Sequence, residues 1–63
     1  MLARHEILES LTIGAHGEIA QEVLEAAATD IWENHEFPTL SAFEEFEEAW
    51  EIVAKHDAKH TEN

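Results

Sequence analysis

The helical spacing of apolar residues between Ser41 and His56 constrains the fold of this chain more than any other feature. Five apolar side chains recur at three- and four-residue intervals, which places them on one side of a helix. They are Phe43, Phe46, Trp50, Val53 and Ala54. The pattern predicts one helix over residues 41–57, with an aromatic seam against which the rest of the chain packs. The simplest interpretation of the three aromatic residues is a place in the core.

Both ends of this predicted helix contain residues that typically stabilise helix termini. Ser41 and Glu44 have the spacing of a capping box, in which each side chain accepts a hydrogen bond from the other residue's amide. Basic side chains near the other end complement the negative pole of the helix. They are Lys55, His56 and Lys59. We therefore expect the helix to start at Ser41, and the tail over residues 58–63 to fray.

Two earlier segments also have helical patterns. Residues 2–11 predict a short first helix, and residues 17–34 predict a longer second helix with a broad apolar face. Between them, residues 12–17 contain both glycines of the chain and predict a turn. Residues 35–40 form the second break, because Pro38 cannot continue a helix.

These elements predict an all-α fold, a small three-helix bundle with a short first helix and two longer helices. Residues 1–63 form a single domain. A chain of this length buries only about 60% of its unfolded surface, so its own core is marginal. It contains no cysteine, so no disulfide can compensate. A monomer and a homodimer that completes the core both remain open.

The charge balance excludes several classes of partner. Fifteen acidic residues against three basic ones give a net charge of −12. A compact domain of this length is roughly 27 Å across, and a DNA duplex of that length carries about 16 phosphates. The chain thus approaches the charge density of DNA, which disfavours binding to nucleic acid or to an anionic membrane and favours fast capture of a basic protein surface. A halophilic origin is an alternative explanation, although glutamate strongly outnumbers aspartate.

Two stripes of glutamates form the candidate partner-binding surface. The third-helix stripe comprises Glu44, Glu47, Glu48 and Glu51, and the second-helix stripe comprises Glu18, Glu22 and Glu25. The alternative is a solvated helix face, but such faces usually place lysine four residues after glutamate. Only Glu51 and Lys55 have that spacing among these stripes. Pairs such as Glu44 and Glu48 instead repel each other, which indicates that the negative charge of this surface has a function.

Two large apolar residues lie away from the predicted core faces. Trp32 is displaced from the apolar face of the second helix, and Ile52 is opposite the seam of the third. Both are candidate anchors for a partner, since a tryptophan surrounded by charged residues is a common arrangement at binding hot spots. The alternative is that both pack on the first helix or on the tail.

The histidines suggest little chemistry. His56 and His60 are four residues apart and share a helix face, but a structural zinc site needs four ligands. A favourable interaction with the helix terminus is the simpler interpretation, and we expect no metal and no cofactor. Five histidines would also allow a switch between about pH 5 and 7.

These observations predict an acidic protein that occupies the basic surface of a nucleic-acid-binding protein as a DNA mimic. A phage-encoded inhibitor of a host nuclease, of a restriction or CRISPR complex, or of a transcription factor would fit. The alternative is a small structural or assembly subunit that associates through apolar helix faces, with the acid serving solubility. We expect no enzymatic activity, because there is no cysteine nucleophile or glycine-rich loop and little room for a pocket. The charged N-terminal segment and the lack of a long apolar run predict a cytoplasmic protein.

Overall fold

A computed structural model describes residues 1–61, and these residues fold into four helices without a strand. The helices are α1 (Arg4–Ala15), α2 (Gln21–Asn34), α3 (Leu40–Glu44) and α4 (Glu48–Thr61). Both α1 and α4 pack against α2, and the short α3 contacts α1. The predicted all-α bundle is therefore confirmed, with α2 at its centre.

The core is built around the apolar face of α2. That face consists of Val23, Leu24, Ala27, Ala28 and Ile31, all of them buried. Ile7 and Leu11 of α1 pack against it, as does Val53 of α4. The small side chains at Ala27 and Ala28 allow close approach of neighbouring helices, while each large aliphatic side chain contributes about 1.5–3 kcal/mol by its burial.

The first helix is longer than predicted, because it continues through Gly14 to Ala15. A glycine inside a helix costs only about 1 kcal/mol, and burial of Ala15 in the core offsets that cost. The turn lies instead at His16 and Gly17, whose φ angles are 53° and 77°. Accordingly α2 begins at Gln21, four residues later than predicted from the glycines.

The predicted single helix over residues 41–57 is wrong, because the chain breaks between Glu44 and Glu48 into α3 and α4. Thr39 rather than Ser41 caps α3, since its hydroxyl accepts a hydrogen bond from the amide of Ala42 at 3.2 Å. The break predicted around Pro38 is a separate one and lies between the end of α2 at Asn34 and the start of α3 at Leu40.

Aromatic packing and charge repulsion together explain the break. The ring of Phe37 lies 5.3 Å from those of both Phe43 and Phe46, and the ring of His35 lies 4.7 Å from Phe46. Such aromatic pairs stabilise by about 0.5–1.5 kcal/mol each beyond the area they bury. A continuous helix would stack like-charged glutamates three and four residues apart along the same segment. The bend keeps the aromatic contacts and places Glu44 and Glu48 in different helices.

The last helix extends further than predicted, to Thr61. Residues 58–61, which the sequence assigned to the tail, are thus part of this helix, and residues 62–63 lie outside the described part of the chain. Lys59 and His60 lie in the last turn, where positive charge is favourable. The Thr61 hydroxyl donates to the carbonyl oxygen of Ala58 at 3.0 Å, which helps to complete the turn.

Polar contacts join the helices at the edge of the core. Arg4 Nε of α1 donates to Thr29 Oγ1 of α2 at 2.6 Å. At the next residue of α2, Asp30 Oδ2 lies 3.0 Å from His56 Nε2 of α4. Each pair connects α2 to one of its two partners, so the polar contacts reinforce the packing of the apolar core.

Candidate functional site: an acidic groove between the outer helices

A concave groove of about 610 Å³ lies between α1, α3 and the start of α4. It exists because α1 and α4 both pack on α2, while their Cα atoms stay more than 8 Å apart. The expectation that so short a chain leaves little room for a pocket is therefore wrong. We call this feature the acidic groove. Its lining is Glu6, Glu9, Ser10, Leu11, Ile13, Gly14, Leu40, Phe43, Glu44, Phe46, Glu47, Ala49 and Trp50.

The floor of the acidic groove is apolar. Leu11, Phe43 and Ala49 are buried core residues whose outer surfaces close its bottom. Three further apolar side chains stand at its edges and remain exposed to water. They are Ile13 at 67%, Leu40 at 45% and Trp50 at 43% relative exposure. Apolar side chains exposed together in a concavity are typical of a binding surface rather than of a closed core.

Trp50 crosses from α4 to the surface of α1. A methyl group placed at Gly14 would lie 2.6 Å from Cζ2 and 3.0 Å from Cη2 of the Trp50 indole. Both distances are shorter than a van der Waals contact, so the indole would have to shift if residue 14 carried a side chain. Trp50 was predicted to lie in the core, and that prediction is wrong because the break after α3 carries it to the groove.

Glutamates line the acidic groove from two directions. Glu6 and Glu9 come from α1, Glu44 comes from α3, and Glu47 precedes α4. No lysine or arginine contributes to the lining. Within residues 1–61, no glutamate carboxylate has a lysine or arginine nitrogen within 4.0 Å, and every glutamate is exposed. The negative potential of the groove is therefore not neutralised by ion pairs within the described chain.

The seven glutamates that the sequence singled out do not share one surface. Glu44 and Glu47 line the acidic groove, whereas Glu48 and Glu51 lie in the first turn of α4 outside the lining. Glu25 borders a shallow depression beside α2 that also contains Arg4 and His56. The two remaining glutamates, Glu18 and Glu22, are exposed and line neither feature.

The two apolar anchor candidates also lie apart from the acidic groove. Trp32 is 45% exposed and borders a separate depression with Glu33, His35 and Glu36. Ile52 is partly buried and packs against the core, which leaves less of its side chain free for a partner.

Several groove residues were missed by reasoning from the sequence. Glu6 and Glu9 were not among the predicted partner-binding glutamates, and Ile13 and Gly14 fall within the turn predicted over residues 12–17. The usable signal was the spacing of residues 6, 9, 10, 13 and 14, which fall on one face if the helix passes through Gly14. A single glycine does not end a helix, so that continuation was compatible with the sequence.

His56 forms a hydrogen bond with Asp30 and does not belong to a cluster of candidate metal ligands within the described chain. The hydrogen bond from His56 to Asp30 Oδ2, at 3.0 Å, lowers the pKa of the Asp30 carboxyl below 3.8, and Asn34 donates to the other oxygen at 2.8 Å. His60 is exposed in the last turn of α4. Among residues 1–61, no three histidine or acidic side chains are grouped as metal ligands.

The described molecule is elongated, with extents of 35 × 22 × 18 Å and a radius of gyration of 11.0 Å. Residues 1–61 carry a net charge of −11, which is −12 less the contribution of Glu62. This corresponds to one negative charge per about 3 Å of length, compared with one per ~1.7 Å in duplex DNA. The charge density is thus about half that of DNA.

None of the helices in residues 1–61 combines the length and apolar character that a bilayer span requires. Comparison with known proteins finds no matching family model, curated protein or solved structure. The functional argument therefore depends on the surface described above.

Proposed function

We propose that this chain is an acidic binding protein that occupies the basic surface of a nucleic-acid-binding protein and thereby blocks it. One observation carries the proposal: every glutamate in residues 1–61 is exposed, and none is paired with lysine or arginine within 4.0 Å. A surface that served only solubility would gain from interleaved charges of both signs, which lower self-repulsion. On this surface the carboxylates repel one another, and binding of a basic partner would reduce that repulsion.

The mechanism is competition for cationic side chains. Lysine and arginine side chains that contact phosphates in a nucleic-acid complex would contact carboxylates here, at about half the charge density of DNA. The long-range field speeds the encounter of oppositely charged proteins, so capture is fast at low ionic strength. No covalent chemistry is involved, and the chain acts by binding rather than by catalysis.

The class of target follows from the same chemistry. Nucleases, restriction or CRISPR complexes and transcription factors present basic grooves or patches that evolved to hold phosphates. A phage-encoded inhibitor that acts in the host cytoplasm would meet such proteins, and its small size and lack of cysteine are compatible with that role.

Affinity capture from a bacterial lysate tests the proposal. The immobilised chain is washed at low salt and then at high salt, and the retained proteins are identified. A matched column carries the variant Glu47→Lys/Glu48→Lys. We expect nucleic-acid-binding proteins to be retained at low salt by the parent chain only, because reversal of both charges changes the local charge by four units. Equal retention of the same proteins on both columns would contradict an electrostatic mode of binding.

The second candidate function is a structural or assembly subunit that associates through apolar surfaces, either as a homodimer or within a larger complex. The exposure of both tryptophans, Trp32 and Trp50, supports it. Association of this kind persists at high salt, because salt screens charges but does not weaken apolar burial. Sedimentation of the parent chain, of Trp32→Ala and of Ile52→Ala in 1 M NaCl separates the two candidates. A salt-resistant oligomer that either substitution dissociates would favour the assembly role.

A further inference from the structure

We infer that the acidic groove binds one cationic amphipathic helix of the partner, with the apolar stripe of that helix on Trp50, Ile13 and Leu40 and its basic residues beside the glutamates. This inference depends on the proposed function, because it assigns the recognition of the basic partner to one place on the molecule. Two features of one concavity carry the inference. Its floor is apolar, and glutamates line it both from α1 and from the segment formed by α3 and the residues before α4.

The dimensions of the groove suit a helix. Its α1 side runs from Glu6 to Gly14, which is about 12 Å along the helix axis at ~1.5 Å per residue. Two turns of a docked helix cover the same distance and present apolar residues at positions i, i+4 and i+7. Residues 1–61 contain no strand, so they offer no sheet edge to which an extended peptide could add.

The charges specify which helix fits. Glu6 and Glu9 lie on the α1 side, while Glu44 and Glu47 lie across the groove. An occupant must therefore carry lysine or arginine on both flanks of a narrow apolar stripe. A second copy of this chain is disfavoured as the occupant, because it would bring glutamates against glutamates.

Trp50 is the expected anchor of the complex. Its indole is 43% exposed and lies against α1 at Gly14, so part of the ring is already packed while the rest borders the groove. A tryptophan that is already ordered loses little conformational freedom on binding, and a half-exposed ring still has apolar area to bury. Ile13 and Leu40 extend this apolar surface on the side of α1 and at the start of α3.

The test uses two synthetic peptides of identical composition. The first is a 14-residue helical peptide with leucines at i, i+4 and i+7 and with lysine and arginine on both flanks. The second has the same residues in an order that removes the apolar stripe. Binding to the full chain in the Trp32→Phe background is followed by fluorescence, so that the signal comes from Trp50 alone. We expect the amphipathic peptide to bind at least tenfold more tightly than the scrambled one, with a blue shift of the Trp50 emission.

Variants of the chain locate the binding site. Ile13→Ser should weaken binding of the amphipathic peptide about tenfold. Trp50→Ala should do the same, and its binding is measured by titration calorimetry because this variant lacks the fluorescent indole of residue 50. Ile13 is 67% exposed, so its substitution leaves the core intact even if Trp50→Ala lowers stability. Glu9→Gln/Glu47→Gln should weaken binding several-fold at low salt and less at high salt. The control Glu18→Gln/Glu22→Gln removes the same charge outside the groove and should change the affinity by less than twofold.

Three results would overturn the inference, and each has a different meaning for the proposed function. Equal affinity for the two peptides, or equal effects of the groove and control variants, would show diffuse electrostatic binding and leave the proposed function intact. Failure of both peptides to bind at low salt would contradict the groove and the proposed function together. A dimer that Ile13→Ser dissociates would identify a second copy as the occupant.

Discussion

At the scale of single residues, the acidic groove depends on a close contact between Gly14 and Trp50. Glycine is a poor helix residue, yet here it lies inside α1 because the indole of Trp50 occupies the space of a side chain. The same contact leaves one edge of the ring exposed in the groove. One small residue thus permits the arrangement that we propose as the anchor for a partner.

The coupling between Gly14 and Trp50 can be measured directly. Gly14→Ala should raise the free energy of unfolding by about 1 kcal/mol in a Trp50→Ala background, because alanine is the better helix former. In the parent chain the new methyl group meets the indole, so the gain should be smaller or become a loss. Urea denaturation of the four proteins of this double-mutant cycle gives the coupling energy. An equal effect of Gly14→Ala in both backgrounds would contradict the contact.

His16 offers a second test at this scale, because it holds a left-handed backbone conformation after α1 with φ of 53°. A non-glycine residue in that conformation costs roughly 1–2 kcal/mol, and glycine avoids the cost although it loses more entropy on folding. We expect His16→Gly to raise the free energy of unfolding by about 0.5–1 kcal/mol. His5→Gly within α1 is the matched control and should lower it by a similar amount. Destabilisation by both substitutions would refute the assigned position of the helix end.

At the scale of helices, the break between α3 and α4 is the main departure from the sequence-based prediction. The apolar spacing from Phe43 to Ala54 predicted one helix. Phe43, Phe46 and Val53 do pack inward in whole or in part, whereas Trp50 and Ala54 are exposed. Periodicity located the apolar residues but not the bend, because Phe46 contacts Phe37 and His35, which lie in the preceding loop outside the periodic segment. The groove between α1 and α3 was not predictable for the same reason.

Thr39 and Ser41 are the two candidate N-terminal caps at the start of α3, and substitution of each one distinguishes them. Thr39→Ala removes the hydroxyl that accepts from the amide of Ala42, and it should cost about 1 kcal/mol of stability. Ser41→Ala, the cap that the sequence favoured, should change stability by less than about 0.5 kcal/mol, because Ser41 is exposed inside the helix. Thermal denaturation of the two variants decides the matter, and a larger loss for Ser41→Ala would contradict the structure.

The contact between Asp30 and His56 joins α2 to α4 and should depend on pH. The hydrogen bond from His56 lowers the pKa of Asp30 below its ordinary value of 3.8. The unfolded chain therefore binds this proton at higher pH than the folded one, and the contribution to stability is present above pH 3.8 and is lost as the pH falls through the lowered pKa.

Comparison of the parent chain with Asp30→Asn isolates that contribution. The parent should be more stable than the variant at pH 6, and the difference should shrink at pH 3. Glu33→Gln on the exposed surface of α2 serves as the control for the loss of one negative charge. A difference between parent and Asp30→Asn that is the same at pH 3 and pH 6 would refute the linkage.

At the scale of the whole molecule, the unpaired negative charge is the dominant property. Composition predicted the magnitude of this charge, and helical periodicity predicted that the glutamates are exposed on helices. Both predictions were possible because neither requires tertiary information. The concentration of Glu6, Glu9, Glu44 and Glu47 around one groove was not predictable, since these residues come from segments whose relative positions depend on the packing of α1 and α3.

Self-repulsion among these charges should make stability depend on salt. The Debye length falls from about 30 Å at 0.01 M to about 3 Å at 1 M ionic strength, so repulsion across this 35 Å molecule is almost fully screened at the higher value. We expect the midpoint of thermal unfolding to rise by several degrees between 0.01 M and 1 M NaCl. An unchanged midpoint of thermal unfolding would mean that the charges are too far apart for their repulsion to affect stability.

Displacement by DNA tests the central claim of a nucleic-acid mimic most directly. The proteins retained by the immobilised chain at low salt are challenged with short duplex DNA at constant ionic strength, and their release is measured. The account predicts that the DNA releases the retained nucleic-acid-binding protein, because both ligands compete for the same cationic side chains. Retention of that protein at saturating DNA would contradict mimicry, since the acidic surface would then be bound to a region that does not hold nucleic acid.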